Sequence, residues 1–545
     1  MVKNFGLVPD IKIRRSVLNA PHGVKTTFNV GSLVPLSWQE VLPGDTWKTK
    51  TKLVVRLSSA LIKPIMDELF MDVWHFFIPW RLVYSDFESV FGVADPSSYV
   101  QDNFGSIPTV KGNTVYEKTI ADYMDLPIGT NVLPSDEVSV LPFRAYALVY
   151  DKWIRNQNVT DETYVQKGAT ALSETLNNSD FAPNNYTGKL AKVTKTKDYF
   201  TACLPSTQKG TPVRLPLGAL APINAKKDVF FDLDDDLQFE PTSGHSPVGG
   251  FLVTNNELTS YGHVAVSSNT DSGLKTSIGK TNMYADLSQA VSASVNDLRL
   301  SFALQRMLEI DSRGGTRYNE YLLSHFGVVN PDARLQLPEY LGGGRFPLTM
   351  FQATSMSNAS GASLGEVGGF VFTNGETRFV KGFTEHGMIL TVGAVRYLHN
   401  YSQGVQRKWF RLNREEFYDP NFAFLGEQPV YRGQIFSSSS ESLKAHTFGF
   451  QEAWAEYRFI PNTTTGQMRP KNTSSLAVWH LGDEYANAPS LTETFINETP
   501  DNLDRCLTVK SNVQDQIVCD MFFDTKIVRP MPVESVPGLI DHRWK

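Results

Sequence analysis

The sequence predicts a mainly β protein, an antiparallel sandwich whose sheets draw strands from distant parts of the chain. Three observations carry this. Between Phe28 and Tyr84, short runs rich in Val, Leu, Phe and Trp are broken by Pro and Gly where an extended chain would turn. The last run, Leu69 to Tyr84, is apolar on both alternating faces, with Phe70, Trp74, Phe76 and Ile78 on one and Met71, Val73 and Phe77 on the other. Such a strand must be covered on both sides, so it reads as an interior strand that ends at Pro79. Strand-like segments return toward the C-terminus, and a sheet shared by both chain ends is the mark of an antiparallel sandwich.

Taken in order, residues 1–27 are basic, lack periodicity and carry the breaker run Asn19-Ala20-Pro21-His22-Gly23, which predicts a draped N-terminal arm. After Phe91 a Pro/Gly/Asn-rich connection runs to Pro142. Phe143, Tyr146, Ala147, Tyr150, Trp153 and Ile154 then recur at three- and four-residue steps, which predicts an amphipathic surface helix whose aromatic stripe packs on the core. Residues 160–197 are Asn/Thr-rich and read as a surface excursion. Residues 198–217 regain apolar character between Pro205, Pro212 and Pro216. Residues 224–290 are acidic and Gly/Ser/Asn/Thr-rich, with short alternating pieces, and read as an insertion projecting outward. A helix is expected from Ser294 to Ile310 and a second from Thr316 to His325, separated by Asp311-Ser312-Arg313-Gly314-Gly315. Strands are expected at 345–353, 382–398, 445–460, 475–481 and 513–528.

Composition narrows the class. With 545 residues, 41% hydrophobic, 20% charged and 34 Phe, the chain can bury a thick core and still offer aromatic contact surface. The net charge of −6 is unevenly spread. Residues 1–63 hold ten Lys and Arg against three acids, while 228–297 hold ten acids against two lysines. The first suits an anion and the second suits water. Cys203, Cys506 and Cys519 are odd in number and contain no CxxC, which points to a reducing compartment without a disulfide framework or structural zinc. The opening MVKNFGLVPDIKIRR has no apolar run of signal-peptide type, and no eighteen apolar residues follow one another, so a soluble protein made in a cytoplasm is expected.

The enzyme motifs are weak. Gly361-Ala362-Ser363-Leu364-Gly365 fits G-x-S-x-G but follows a Ser/Asn-rich loop and leads into no helix start. Gly273 and Gly279-Lys280-Thr281 have one residue too many for a phosphate loop. Asp232, Asp234, Asp235 and Asp236 imitate the start of a calcium loop, but Leu237 replaces its glycine and Ser243 its closing glutamate. His75, inside an apolar strand, reads as a satisfied core or interface histidine. No catalytic residue, cofactor or metal is expected. Anion binding has better candidates. Lys3, Lys12, Arg14 and Arg15 make the arm basic, and Arg396, Arg407, Lys408, Arg411 and Arg414 gather with Tyr397, Tyr401, Trp409 and Phe410. Cations follow a phosphate backbone and rings stack on unpaired bases; the alternative for the second cluster is a basic subunit contact or solvated surface.

Several segments together resemble one family. They are Leu42-Pro43-Gly44-Asp45-Thr46, Ala60 through Asp67 with Phe70-Met71-Asp72, Phe76-Phe77-Ile78-Pro79, Leu141 through Tyr146, Leu204-Pro205-Ser206, Gly343-Gly344-Arg345, Gly449 through Arg458, and Val536 through His542. In this order they resemble the capsid proteins of the Microviridae, small icosahedral single-stranded DNA phages, in the gokushovirus branch. The resemblance implies an eight-stranded antiparallel jelly roll of viral capsid type, with long loop insertions and a few helices. Its domains would be the arm 1–27 and one jelly-roll domain 28–545 holding the insertion 224–290. It further implies a T = 1 shell of sixty copies built through pentamers around a circular single-stranded DNA genome, in a virion assembled in the bacterial cytoplasm. Implied partners are an internal scaffolding protein, a small basic DNA-binding protein, a pilot protein and a host surface receptor. The insertion, with Asp232, Asp234, Asp235 and Asp236, would form three-fold protrusions facing the host. The competing expectation is a jelly-roll carbohydrate-binding protein or glycosidase.

Overall fold

The computed structural model describes residues 14–91, 105–134, 137–168, 174–211, 213, 223–225, 252–254, 264–266, 283–285, 295–315, 317–332, 336–354 and 367–534. Lys3, Lys12, Asp232, Asp234, Asp235, Asp236, Ser363, the Gly273 to Thr281 stretch and Val536 to His542 lie outside them.

Alternation in the sequence decides the strands. In chain order they are β1 Ser16–Asn19, β2 His22–Phe28, β3 Val34–Val41, β4 Thr46–Leu57, β5 Leu69–Pro79, β6 Glu339–Pro347, β7 Thr349–Thr354, β8 Val367–Gly382, β9 Gly387–Tyr397, the pair β10 Glu427–Tyr431 and β11 Thr447–Glu452, and β12 Ile517–Arg529. One sheet runs β1/β2, β12, β4, β8, β7, and the other runs β6, β5, β9, β3, all antiparallel. Successive strands cross repeatedly from one sheet to the other, and β12 returns beside β2, which is the winding of a jelly roll. Among the described residues the two sheets hold ten strand segments where eight are expected, and each addition has a local cause. Pro21 lacks an N–H and splits the first strand, so β1 and β2 pair one after the other along β12. β7 extends the far edge beside β8.

Of residues 1–27, expected as the arm, 16–19 and 22–27 are therefore sheet. The breaker run there interrupts a strand instead of preventing one. The reverse error falls on β8, since no strand is expected over 367–381. Here the chain runs straight through, since Phe346 of the facing sheet presses on it and a Cβ at Gly375 would lie 2.5 Å from that ring. The expected strand at 475–481 is instead a short turn of helix at Ala477–Trp479, and the one at 445–460 stops at Glu452.

The helix expected near 143–155 forms as α1, Leu141–Val149, continued by a π turn over Tyr150–Ile154. It is not a surface helix. Every α1 residue except Pro142 is buried, including Arg144, whose guanidinium donates to both oxygens of Glu174 at 2.7 and 2.8 Å and to the carbonyl of Val83 at 3.1 Å. The 160–197 excursion is likewise partly core. It supplies Glu174, Tyr186, Leu190, Ala191 and Val193, which pack against α1 because Asn/Thr-rich composition hides a few well-spaced apolar anchors. Helices α2, Val295–Gly314, and α3, Tyr318–Phe326, form close to their expected places.

By internal contacts the chain divides into two compact units, Met1–Lys209 with Glu309–Lys545, and Gly210–Leu308. In the second, Ile223–Ala225 pairs with Met283–Ala285 and Leu252–Thr254 with Val264–Val266. All three cysteines are free and buried, and burial pushes the thiols of Cys506 and Cys519 up to about 11 and about 12.

At the centre of the sandwich His75 on β5 is fully buried. Its ring bonds Thr391 on neighbouring β9 at 2.8 Å and Thr377 on β8 of the facing sheet at 2.7 Å, so one neutral imidazole ties the two sheets. Burial lowers its pKa to about 4. An unfolded His75 takes up a proton near 6.5 while the folded one stays neutral until about 4. The subunit should therefore lose roughly 3 kcal/mol of stability through this group as pH falls across that window. Denaturant unfolding of wild type against His75→Gln at pH 7 and pH 4.5 measures it, the difference moving against the wild type on acidification. In the same assay Glu174→Gln, which strands the Arg144 charge, should cost about 3–5 kcal/mol at pH 7.

Candidate assembly and nucleic-acid surfaces

The basic and aromatic cluster expected near 396–414 separates into two kinds of residue. Arg396 on β9 and Arg345 on β6 both donate to the buried Asp72 of β5, so both are spent on joining three strands. Arg407 lies 3.3 Å and Arg411 3.2 Å from the same Glu456 carboxylate oxygen. Arg407 also donates to the Pro429 carbonyl at 2.6 Å, and Arg411 covers the Tyr457 ring at 4.1 Å. These two arginines hold loops together. Lys408 and Arg414 are exposed, as is Trp409. Arg14 and Arg15 are exposed just ahead of β1. A cavity of about 720 Å³ opens beside Trp74 and Trp153, but Arg345 and Arg396 on its wall are those already paired with Asp72.

A buried charge cluster, which the sequence does not announce, anchors these loops. His399 lies just past β9, with Nδ1 3.0 Å from Asp483 and Nε2 3.0 Å from Glu498. Lys195 donates to Asp483 at 2.9 Å, and the Tyr485 hydroxyl donates to it at 2.8 Å. With a carboxylate at each ring nitrogen, both must donate, which makes the ring an imidazolium. Burial pulls the His399 pKa down, but attraction to Asp483 and Glu498 overrides it and holds the value up at about 9. Burial would raise Asp483; His399 and Lys195 instead hold it well below the ordinary carboxylate range. His399 is 84 positions from Asp483 and 99 from Glu498, and Lys195 is 288 from Asp483, so no local pattern could reveal the cluster.

Next to this anchor two segments expose large apolar side chains. On the first, Phe424 is 98% and Leu412 83% exposed; on the second, Ile460 is 91% and Phe459 56% exposed. The segments are braced together. Trp454 is buried, donates its indole N–H to the Phe422 carbonyl at 2.8 Å and packs edge-on to Tyr418, whose backbone N–H donates to Tyr457 Oη at 3.3 Å. Trp454 adopts a left-handed φ of 64°, a strain of about 1–3 kcal/mol that its surroundings enforce. Exposed apolar area of this extent on a braced frame marks a contact surface.

Among the described residues no group of three or more His, Cys, Asp or Glu side chains could hold a metal ion, and no helix is long and apolar enough to cross a membrane. Residues 7–539 match the family described as Capsid protein (F protein). The chain belongs to this capsid-protein family. It is 35% identical over 559 residues to the capsid protein VP1 of Spiroplasma virus 4, covering 99% of this chain and 98% of that one. Similarity to VP1 of Bdellovibrio phage phiMH2K is 34% over 550 residues, covering 98% and 97%, and to VP1 of Chlamydia phage 1 it is 34% over 599 residues, covering 99% and 98%.

In this capsid protein the segments that carry the family resemblance are mainly structural. Leu141 to Tyr146 is the buried helix, Phe76 to Pro79 ends the central strand, Gly343 meets the Val73 backbone so closely that a Cβ would lie 2.2 Å from its carbonyl oxygen, and Gly449 to Arg458 contains the braced Trp454.

The His399 cluster has a testable sign. A histidine raised from about 6.5 to about 9 contributes stability that is complete below the lower value and lost as pH rises through the higher. The stability advantage of wild type over His399→Gln, read by denaturant unfolding, should shrink between pH 6 and pH 9.5. An advantage that stayed constant would mean a neutral ring.

Proposed function

We propose that this capsid protein, of the gokushovirus branch of the Microviridae, assembles as sixty copies into a T = 1 shell through pentameric intermediates. The shell encloses a circular single-stranded DNA genome and is built in the cytoplasm of a bacterial host. The observation that carries the assembly reading is the braced apolar surface over 405–425 and 454–460, which in an isolated subunit leaves Phe424 and Ile460 almost wholly in water. A shell needs several modest interfaces, each correctable during assembly and collectively strong. The role is structural rather than catalytic.

Within this reading, the basic residues Lys3, Lys12, Arg14 and Arg15, with Lys408 and Trp409, face the genome, while Arg407 and Arg411 shape the loop that presents them. The insertion 224–290, bearing Asp232, Asp234, Asp235 and Asp236, forms the protrusion that meets the host receptor. The internal scaffolding protein, the small basic DNA-binding protein and the pilot protein complete the particle.

Phe424→Asp and Ile460→Asp test assembly directly. Both side chains are solvent-exposed in the subunit, so each variant should keep the wild-type thermal midpoint. Co-expressed with a scaffolding protein and examined by size-exclusion chromatography and negative-stain microscopy, wild type should give uniform small shells or pentamers, and the variants should stall as smaller species. Variants that build wild-type shells would contradict the assignment of this surface.

A further inference from the structure

The sheet that carries β4 has a solvent-facing side with an unusual charge balance. β4 reads TWKTKTKLVVRL, with Trp47, Thr49, Thr51, Leu53, Val55 and Leu57 buried in strict alternation, which sends Lys48, Lys50, Lys52 and Arg56 to the other side. In register beside them stand Arg378 on β8 and Lys526 on β12, both exposed, with Lys25 on β2 beyond. The carboxylates on this face are Glu376, Asp520 and Asp524, so cations outnumber them seven to three in a chain whose net charge is −6. Only Lys50 is engaged, with Glu376 at 2.8 Å; Lys48, Lys52, Arg56, Arg378 and Lys526 make no ion pair among the described residues.

A solvated face of an antiparallel sheet is ordinarily of mixed sign, because nothing favours gathering like charges on a rigid surface. Here three lysines stand in one row about 7 Å apart, the repeat of same-side residues on a strand, and the row cannot relax. That stride is comparable to the spacing of successive phosphates along an extended single strand. A ring is also present. Phe522 on β12 pairs across from Lys52, is 45% exposed, and has Gly23 as its β2 neighbour, which offers no side chain to cover it. Cations in a row beside an uncovered ring are what single strands are held by without sequence preference: the cations take the backbone and the ring takes a base.

We propose that this β4-centred face is a platform for single-stranded nucleic acid, with Lys48, Lys52 and Arg56 along the phosphates and Phe522 under a base. The inference rests on the genome-enclosing reading above and adds a place for the strand on the rigid sheet itself, apart from the 1–27 segment and the Lys408 loop. An acidic protein segment is the rival occupant.

The test is fluorescence anisotropy of a labelled oligothymidylate with purified full-length subunits over a salt series. The proteins compared are wild type, Lys48→Gln/Lys52→Gln/Arg56→Gln, Phe522→Ser, and Arg469→Gln/Lys510→Gln, both exposed, as a charge-loss control elsewhere. All substitutions are on exposed side chains, and equal thermal midpoints verify the fold. The triple variant should bind at least about tenfold more weakly at moderate salt and lower the salt slope by about 2, since each phosphate contact on a single strand contributes about 0.7. Phe522→Ser should weaken binding with the slope unchanged, and the control should leave both near wild type. An unchanged slope in the triple variant, a slope lost in the control instead, or displacement of the oligonucleotide by polyglutamate of equal charge at equal concentration would overturn the platform. Purified wild-type particles are assayed for nucleic acid alongside. Wild-type subunits that bind while the triple variant binds equally sink the platform alone, whereas subunits that do not bind and particles that are empty sink the genome-enclosing reading with it.

Discussion

Everything in this subunit depends on covering one strand twice. β5 buries Met71, Val73, His75 and Phe77 against the facing sheet. Phe76 and Ile78 are buried on its other side, where the Phe76 ring packs 5.5 Å from that of Trp153 in the turn after α1. A simple two-layer sandwich would leave that second side in water. The long connection between β5 and β6 therefore cannot be only a surface excursion, because part of it must return as a third layer. The buried Arg144–Glu174 pair fixes that layer, since α1 and the 174–193 segment hold each other through it and through the Tyr146 hydroxyl, which accepts from the Ala191 N–H at 3.1 Å and donates to the Leu33 carbonyl at 2.7 Å.

Two buried histidines show how the same side chain is given opposite roles by its neighbours. Hydroxyl partners and an apolar setting keep His75 neutral; two carboxylates keep His399 charged. The first ties sheet to sheet in the centre of the sandwich. The second ties Lys195, the 480s loop and the segment ending at Glu498 to the end of β9, beside the loops that expose Phe424 and Leu412. One interaction holds the frame and the other holds what the frame presents, and their stabilities run in opposite directions with pH.

The fold was largely legible because strand alternation survives in plain view: β4 and β12 alternate almost without fault, and the double apolar face of β5 correctly announces an interior strand. The failures share a cause, which is that a local signal was overridden by a neighbour distant in sequence. Asn19 to Gly23 says arm until β12 supplies a partner, and the aromatic stripe of α1 says surface helix until Glu174 neutralises Arg144. The candidate surfaces were less legible. Basic residues can be counted, but only the structure separates Arg407 and Arg411, committed to Glu456, from Lys408 and Trp409, which are not. The His399 cluster and the pairing of 405–425 with 454–460 are products of tertiary contact and leave no pattern along the chain.

Assembly through the braced aromatic segments requires that copies of the subunit meet there. Hydrogen–deuterium exchange with peptide-level readout, comparing free subunits with assembled particles, addresses this without altering a residue. Peptides spanning 405–425 and 454–460 should gain strong protection on assembly while the already buried β5 and α1 change little. Equal exchange of those two segments in both states, with protection appearing elsewhere, would contradict the account.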